Sequence, residues 1–199
     1  MGANPFLTAA ERAVLARARV GVAGAGGLGS NCAQHLVRAG VGHLVVADFD
    51  VVNASNLNRQ FFFRDQIGRK KVEALRENLL RIDPEADVRA VDARLDAASA
   101  RTLFADCDVV VEALDAVAAK TMLLGALLPL GKRIVTASGI AGWGRSNALR
   151  VRRLGARVVA VGDETTGVDD ATPPVSPRVG IAAAQQANAV LALLFGLEP

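Results

Sequence analysis

Apolar positions along this chain alternate between two rhythms. Residues 19–23 form a short β-branched run that meets a glycine-rich turn, after which Leu28, Cys32 and Leu36 recur at helical spacing up to Gly40. A second short apolar run, residues 43–47, ends at Asp48, and the passage 19–48 has the length of one strand–helix–strand unit with parallel strands. An asparagine-rich loop, residues 53–58, precedes a helix signalled from about Arg69 by Val72, Leu75, Leu79 and Ile82, which must end before Pro84. Residues 87–91, 108–112 and 133–137 are further strand candidates separated by helical stretches, one of them predicted over 116–128. Alternation of this kind predicts an α/β fold, a doubly wound, Rossmann-like and mostly parallel sheet.

The rhythm changes after Ser138. Residues 148–152 and 157–161 read as a hairpin with no helix between its strands, extending the sheet in antiparallel fashion. Residues 162–177 are rich in Asp, Thr, Gly and Pro with almost no large apolar side chain, which predicts a long mobile loop whose Asp163, Glu164, Asp169 and Asp170 are solvated. The apolar stretch 181–195 is short for a membrane span, is interrupted by Gln185, Gln186 and Asn188, and reads as a buried terminal helix.

Composition narrows the function classes. The chain has 199 residues, 51% of them hydrophobic, enough for one compact domain over residues 1–199 with a substantial core. Its formal net charge is only +3, with basic residues scattered among acidic ones, which argues against nucleic acid as a partner. Residues 1–8 show no secretory signal pattern, and the only cysteines, Cys32 and Cys107, lack CxxC spacing, so a reducing cytoplasm is expected.

Chemistry concentrates in the first half. The turn Gly24-Ala25-Gly26-Gly27-Leu28-Gly29 fits G-x-G-x-x-G, whose glycines allow a tight turn, close approach of phosphate to backbone and close helix–strand packing. A merely structural glycine turn is the alternative, and the motif does not name the nucleotide. Asp48 lies 19 residues after Gly29 at a strand end, where a carboxylate can accept hydrogen bonds from ribose hydroxyls. Asp50 faces the same side if that strand continues, and otherwise is a solvated loop carboxylate. The residues Asn56-Leu57-Asn58-Arg59-Gln60 and Gly68-Arg69-Lys70-Lys71 then supply amides and cations that a dehydrogenase does not need. A reaction that splits a triphosphate does need them, to neutralise phosphate oxygens and departing pyrophosphate.

With these segments in order, the chain resembles the ThiF/MoeB family, relatives of the activating domains of ubiquitin-activating enzymes. The resemblance rests on RVGVAGAGGLGSN, VVADFDVVNASNLNRQ, IGRKKVEAL, VVVEALDA and PRVGIAAAQQAN, spread over residues 19–188. It implies that Asp48 binds ribose, that Asn56, Arg59, Gln60 and Lys71, in preference to Lys70, surround an ATP triphosphate, and that Asp115 serves the phosphates and Mg2+. The alternative for Asp115 is a helix N-cap. The implied reaction is attack of a peptide carboxylate on the α-phosphorus of ATP, with Arg59, Lys71 and Asp115 catalytic through orientation and electrostatics rather than as a nucleophile or base. His35 and His43 read as packing or surface residues.

Departures from the family also matter. Many members carry two CxxC pairs that hold a structural zinc, and this chain has no such zinc site. Nor does 162–177 contain the cysteine that some relatives place in the loop crossing the carrier's tail, and Cys32 and Cys107 read as packing residues, so adenylation without a covalent sulfur step is expected. Arg12 and Arg17 could replace the arginine that a dimer partner lends in some relatives, or lie on the outer face of a short helix over 9–19. Together with Asn4-Pro5-Phe6, these features resemble the compact ThiF-like branch of thiamine biosynthesis. That implies a ubiquitin-like, ThiS-type sulfur carrier protein with a Gly-Gly C-terminus as partner, and a homodimer. The alternatives are activation of a small carboxylate, as in the tRNA threonylcarbamoyladenosine dehydratases of the superfamily, a nicotinamide-dependent dehydrogenase, and a nucleotide-binding module without catalysis.

Overall fold

A computed structural model describes residues 5–169 and 171–199; Asn4 and Asp170 lie outside them. Seven strands form one sheet in the order β3-β2-β1-β4-β5-β7-β6. β1 (Arg19–Ala23), β2 (His43–Asp48), β3 (Asp87–Asp92), β4 (Val109–Glu112) and β5 (Arg133–Ala137) are parallel, as the alternating rhythm predicts. The hairpin strands β6 (Arg150–Leu154) and β7 (Val158–Gly162) differ from the expectation in one respect. They pair antiparallel with each other, but β7 joins β5 in parallel and leaves β6 at the edge. The turn Ser146–Ala148 takes up the first residue of the predicted strand.

Helices cover both faces. α1 (Ala9–Arg17), α2 (Gly27–Ala39), α3 (Lys71–Ile82) and α6 (Ser176–Phe195) share one apolar core, while α4 (Ala97–Leu103) and α5 (Val117–Leu127) enclose a second on the opposite face. β4 shows how one strand serves both layers. Val109 and Val111 belong to the first core and Val110 to the second, so a run buried on both faces needs no polar alternation. α1 starts at a capping box, in which Thr8 Oγ1 accepts from Glu11 N–H and the Glu11 carboxylate accepts from Thr8 N–H, and Arg12 and Arg17 lie on this helix.

α6 begins at Ser176, so it is longer than the apolar stretch suggests; by length and composition alone it could cross a membrane. Its apolar face is instead spent on the core: Val179, Ala182, Ala183, Ala187 and Val190 are buried, and the helix packs on α2. Cys32 is fully buried and burial pushes its thiol well above the ordinary value. Burial likewise raises Cys107, to about 11, the dominant influence among opposing neighbours that include Lys132. Neither is a ready thiolate. His35 lies on α2, where burial and then Arg38 lower its pKa, and His43 starts β2 beside Asp87.

Candidate active site

The strand order reverses between β1 and β4, and the carboxyl ends of β1, β2, β3 and β4 enclose a cavity of about 460 Å³. Doubly wound sheets bind ligands at this switch point, because the crossover connections diverge there and leave a crevice. Six of the predicted site residues line it: Gly24, Gly26, Asp48, Asp50, Lys71 and Asp115.

The glycine turn leaves β1 and enters α2, and its glycines have different physical reasons. Gly24 has φ +99°, and a Cβ on it would lie 2.5 Å from the Ala113 carbonyl oxygen, while a Cβ on Gly29 would lie 1.8 Å from that of Gly24. A Cβ on Gly27 would meet Val179 of α6 at 3.0 Å. These three serve the protein's own packing. At Gly26, the residue before the first turn of α2, the nearest atom is the Gln60 amide nitrogen at 3.9 Å, so the missing side chain leaves open space at a helix N-terminus.

Asp48 ends β2 and braces this turn. Its Oδ2 accepts from Ala25 N–H at 2.6 Å and its Oδ1 from Asp50 N–H at 2.8 Å, leaving each oxygen a further acceptor site. For Asp50, the condition that the strand continue is not met. β2 stops at Asp48, and the Asp50 carboxylate instead pairs with Lys71 Nζ at 2.8 Å while its backbone carbonyl accepts from Lys71 N–H. Lys71 is the first residue of α3 and its side chain is 7% exposed, whereas Lys70 turns outward to Asp92 and is not among the lining residues.

Asp115 follows β4. The alternative N-cap role does not hold, because α5 starts at Val117 with Ala116 as its cap residue, and the exposed Asp115 carboxylate makes no hydrogen bond or ion pair with any described residue. Asn56, Arg59 and Gln60 stand apart from the lining, on the flank of the glycine turn. Asn56 Oδ1 accepts from Asn53 N–H and closes a short 3-10 turn. Arg59 bonds Asn58 Oδ1 at 2.8 Å and the Ser55 carbonyl, with its stem beside Gly27. Gln60 is buried beside Gly26 with its Oε1 unpartnered.

Other features of this region were not legible in the residue pattern. The Arg94 guanidinium sits 4.0 Å from the centre of the Phe49 ring, a cation–π contact at the cavity wall. Glu112, at the end of β4, is fully buried and bonded to Lys120 of α5. A valine-rich strand ending in Glu signals a possible buried carboxylate, but nothing local names its partner.

The sequence model of the ThiF family matches residues 3–199. The chain belongs to the ThiF family. This ThiF chain is 34% identical over 142 residues to the adenylyltransferase and sulfurtransferase UBA4 of Candida glabrata, covering 71% of this chain and 33% of that protein. It is 43% identical over 106 residues to the molybdopterin-synthase adenylyltransferase of Escherichia coli, covering 53% of this chain and 43% of that one. It thus spans less than half the length of these curated relatives. In fold, it superposes on the E. coli tRNA N6-threonylcarbamoyladenosine dehydratase in complex with ATP with a TM-score of 0.87 at 22% identity, covering 94% of this chain and 90% of that one.

Among the described residues no cluster of three or more His, Cys, Asp or Glu side chains could hold a metal ion.

Proposed function

We propose that this ThiF-family chain binds ATP with Mg2+ in the switch-point cavity and adenylates the C-terminal Gly-Gly carboxylate of a ubiquitin-like, ThiS-type sulfur carrier, releasing pyrophosphate. The observation that carries the reading is the convergence on one cavity of Asp48, Lys71, Asp115 and an open helix N-terminus at Gly26. The names of the relatives agree with it, since UBA4 and the molybdopterin-synthase enzyme are both adenylyltransferases. Asp48 serves the ribose, Asn56 and Gln60 the phosphates, and Lys71 and Arg59 neutralise charge that moves onto pyrophosphate. Asp50 keeps Lys71 aimed into the cavity rather than binding ribose itself.

Mg2+ fits the donor set at Asp115, since this ion is commonly held by one or two carboxylates plus substrate phosphates and keeps several waters. When bound it would neutralise triphosphate oxygens. The carrier's carboxylate is already ionised at neutral pH, so no protein group has to remove a proton, and the chain's contribution is orientation and charge. Both cysteines of these 199 residues are buried and 163–175 holds no thiol, so no residue of this segment is assigned a sulfur-transfer step. Assembly as a homodimer and a cytoplasmic setting belong to the same proposal.

A second reading, activation of a small carboxylate as in the threonylcarbamoyladenosine dehydratases, is favoured by one observation: the chain covers nearly all of that enzyme's length. Exchange of labelled pyrophosphate into ATP separates the two. Exchange stimulated by a Gly-Gly-ending carrier supports the first reading, and exchange stimulated only by threonylcarbamoyladenosine-bearing tRNA supports the second. A protein that binds ATP but exchanges nothing with either would be a binding module and would overturn both.

A further inference from the structure

We infer that Glu112 is a positioning residue that holds the turn bearing Asp115 in register with the nucleotide cavity. This rests on the role proposed for Asp115. Glu112 is the last residue of β4, three positions before Asp115, and is fully buried. Its carboxylate contacts join the turn at the cavity wall to α5 and β5. Oε1 accepts from Leu114 N–H at 2.7 Å, inside the turn itself, and both oxygens lie 3.0 Å from Lys120 Nζ of α5. Oε2 also accepts from Thr136 Oγ1 of β5 at 2.5 Å, and Lys120 reaches on to the Ala137 carbonyl at the end of that strand.

The opposite face of the sheet grips the same residue. Gln186 of α6 donates its amide to the Glu112 carbonyl at 3.1 Å, so the residue is held by its side chain from the α5 layer and by its backbone from the α6 layer. Four consecutive residues of the cavity wall, Ala113, Leu114, Asp115 and Ala116, follow directly from this anchored point. A buried ion pair is a poor way to gain stability, since a well-packed apolar pair of similar volume is commonly as stable or more so. It is a good way to fix geometry, because a charged pair that is fully hydrogen-bonded tolerates one arrangement. The Asp115 carboxylate makes no bond with any described residue, so its aim comes from this turn.

The test compares the natural chain, Asp115→Asn, and the double variant Glu112→Leu/Lys120→Met, which removes both charges and keeps the volume. Thermal unfolding and ATP affinity are measured, the latter with Mg2+ and with EDTA. The double variant, which also leaves Leu114 N–H and Thr136 Oγ1 without their acceptor, should remain folded and bind ATP equally in EDTA. It should lose the Mg2+-dependent gain in affinity to the same extent as Asp115→Asn, and its pyrophosphate exchange should fall about 100-fold, the scale of an ångström-sized misplacement. A folded double variant that keeps the Mg2+-dependent gain overturns the inference. Should the double variant fail to fold, Glu112→Gln, which retains an acceptor for Leu114 N–H, decides on the same affinities: a reduced gain supports the role and an unchanged gain overturns it. A natural chain that shows the gain but no carrier-dependent exchange would sink the adenylation reading while the affinity comparison still judged Glu112.

Discussion

The cavity rim and the root of the loop after β7 are built from the same kinds of side chain and use them in opposite ways. At the rim, beside the Asp50–Lys71 pair, the exposed Asp115 carboxylate has no partner among the described residues and Arg94 rests on an aromatic face, so part of the charge is left facing open space. At the loop root, charge is consumed internally. The Asp163 side chain is 5% exposed, accepts from Thr165 and Thr166 N–H at 2.9 and 2.8 Å, and pairs with the buried Arg178 at 2.5 Å. Arg178 also donates to the Gly144 and Arg145 carbonyls and so ties two loops to the first turn of α6. Glu164 pairs with Arg152, and Asp169 caps its own turn through Thr172 and Ala171. The expectation of solvated acids therefore fails at Asp163, and the loop is pinned at its start. Unsatisfied charge beside a cavity points to a ligand, whereas satisfied charge of equal density points to architecture.

The contrast can be broken by substitution. The largest effect should come from Gly29→Ala, where a Cβ would collide with backbone; unfolding in urea should show a loss above about 4 kcal/mol or no folded protein. Gly26→Ala should fold within about 1 kcal/mol of the natural chain yet bind ATP about tenfold or more weakly by calorimetry, because its space is open to a ligand. Next, Asp163→Ala should cost about 3 to 5 kcal/mol, since it strands a buried arginine, while pyrophosphate exchange per folded molecule is preserved. Lys71→Ala and Arg59→Ala should each do the reverse, lowering exchange about 100-fold with the circular dichroism spectrum retained. Undiminished exchange in both would remove the phosphate role from these cations.

The smallest effect is on acid stability. Burial alone would raise the Asp163 pKa, but hydrogen bonds from Thr166 and Thr165 outweigh it and hold the carboxyl at about 2, against an ordinary 3.8. The folded state thus binds fewer protons than the unfolded one. Stabilisation from this group is complete above about pH 4 and disappears as pH falls through 2. Asp163→Asn should flatten the dependence of the unfolding midpoint on pH in that window, and an unchanged slope would show that the acid is not depressed.

Much of this molecule was legible in its residues because the signals are local. β1 and β5 have the predicted bounds, since a β-branched run between a turn and a helix has few other conformations. The glycine motif was readable in part because Gly29 would collide with the backbone of Gly24 within the same turn, whereas the collision of Gly24 with Ala113 of the neighbouring strand's end was not. Asp48 was legible as a strand-end carboxylate, but its hold on Ala25 N–H was not. The partner of Asp50 was also hidden: Lys71 lies 21 residues on, and only the end of β2 at Asp48 turns the carboxylate toward it.

The sequence by itself determined the doubly wound sheet, the placement of a glycine turn between β1 and α2, and membership of the ThiF family, because periodicity and motif spacing are properties of neighbouring residues. Tertiary structure alone decided which charges are spent and which are free. Glu112 meets Lys120 and Thr136, and Asp163 meets Arg178, only after strands and helices from distant parts of the chain are packed side by side. Charge pairing depends on distance and burial, and neither quantity exists until the chain has folded.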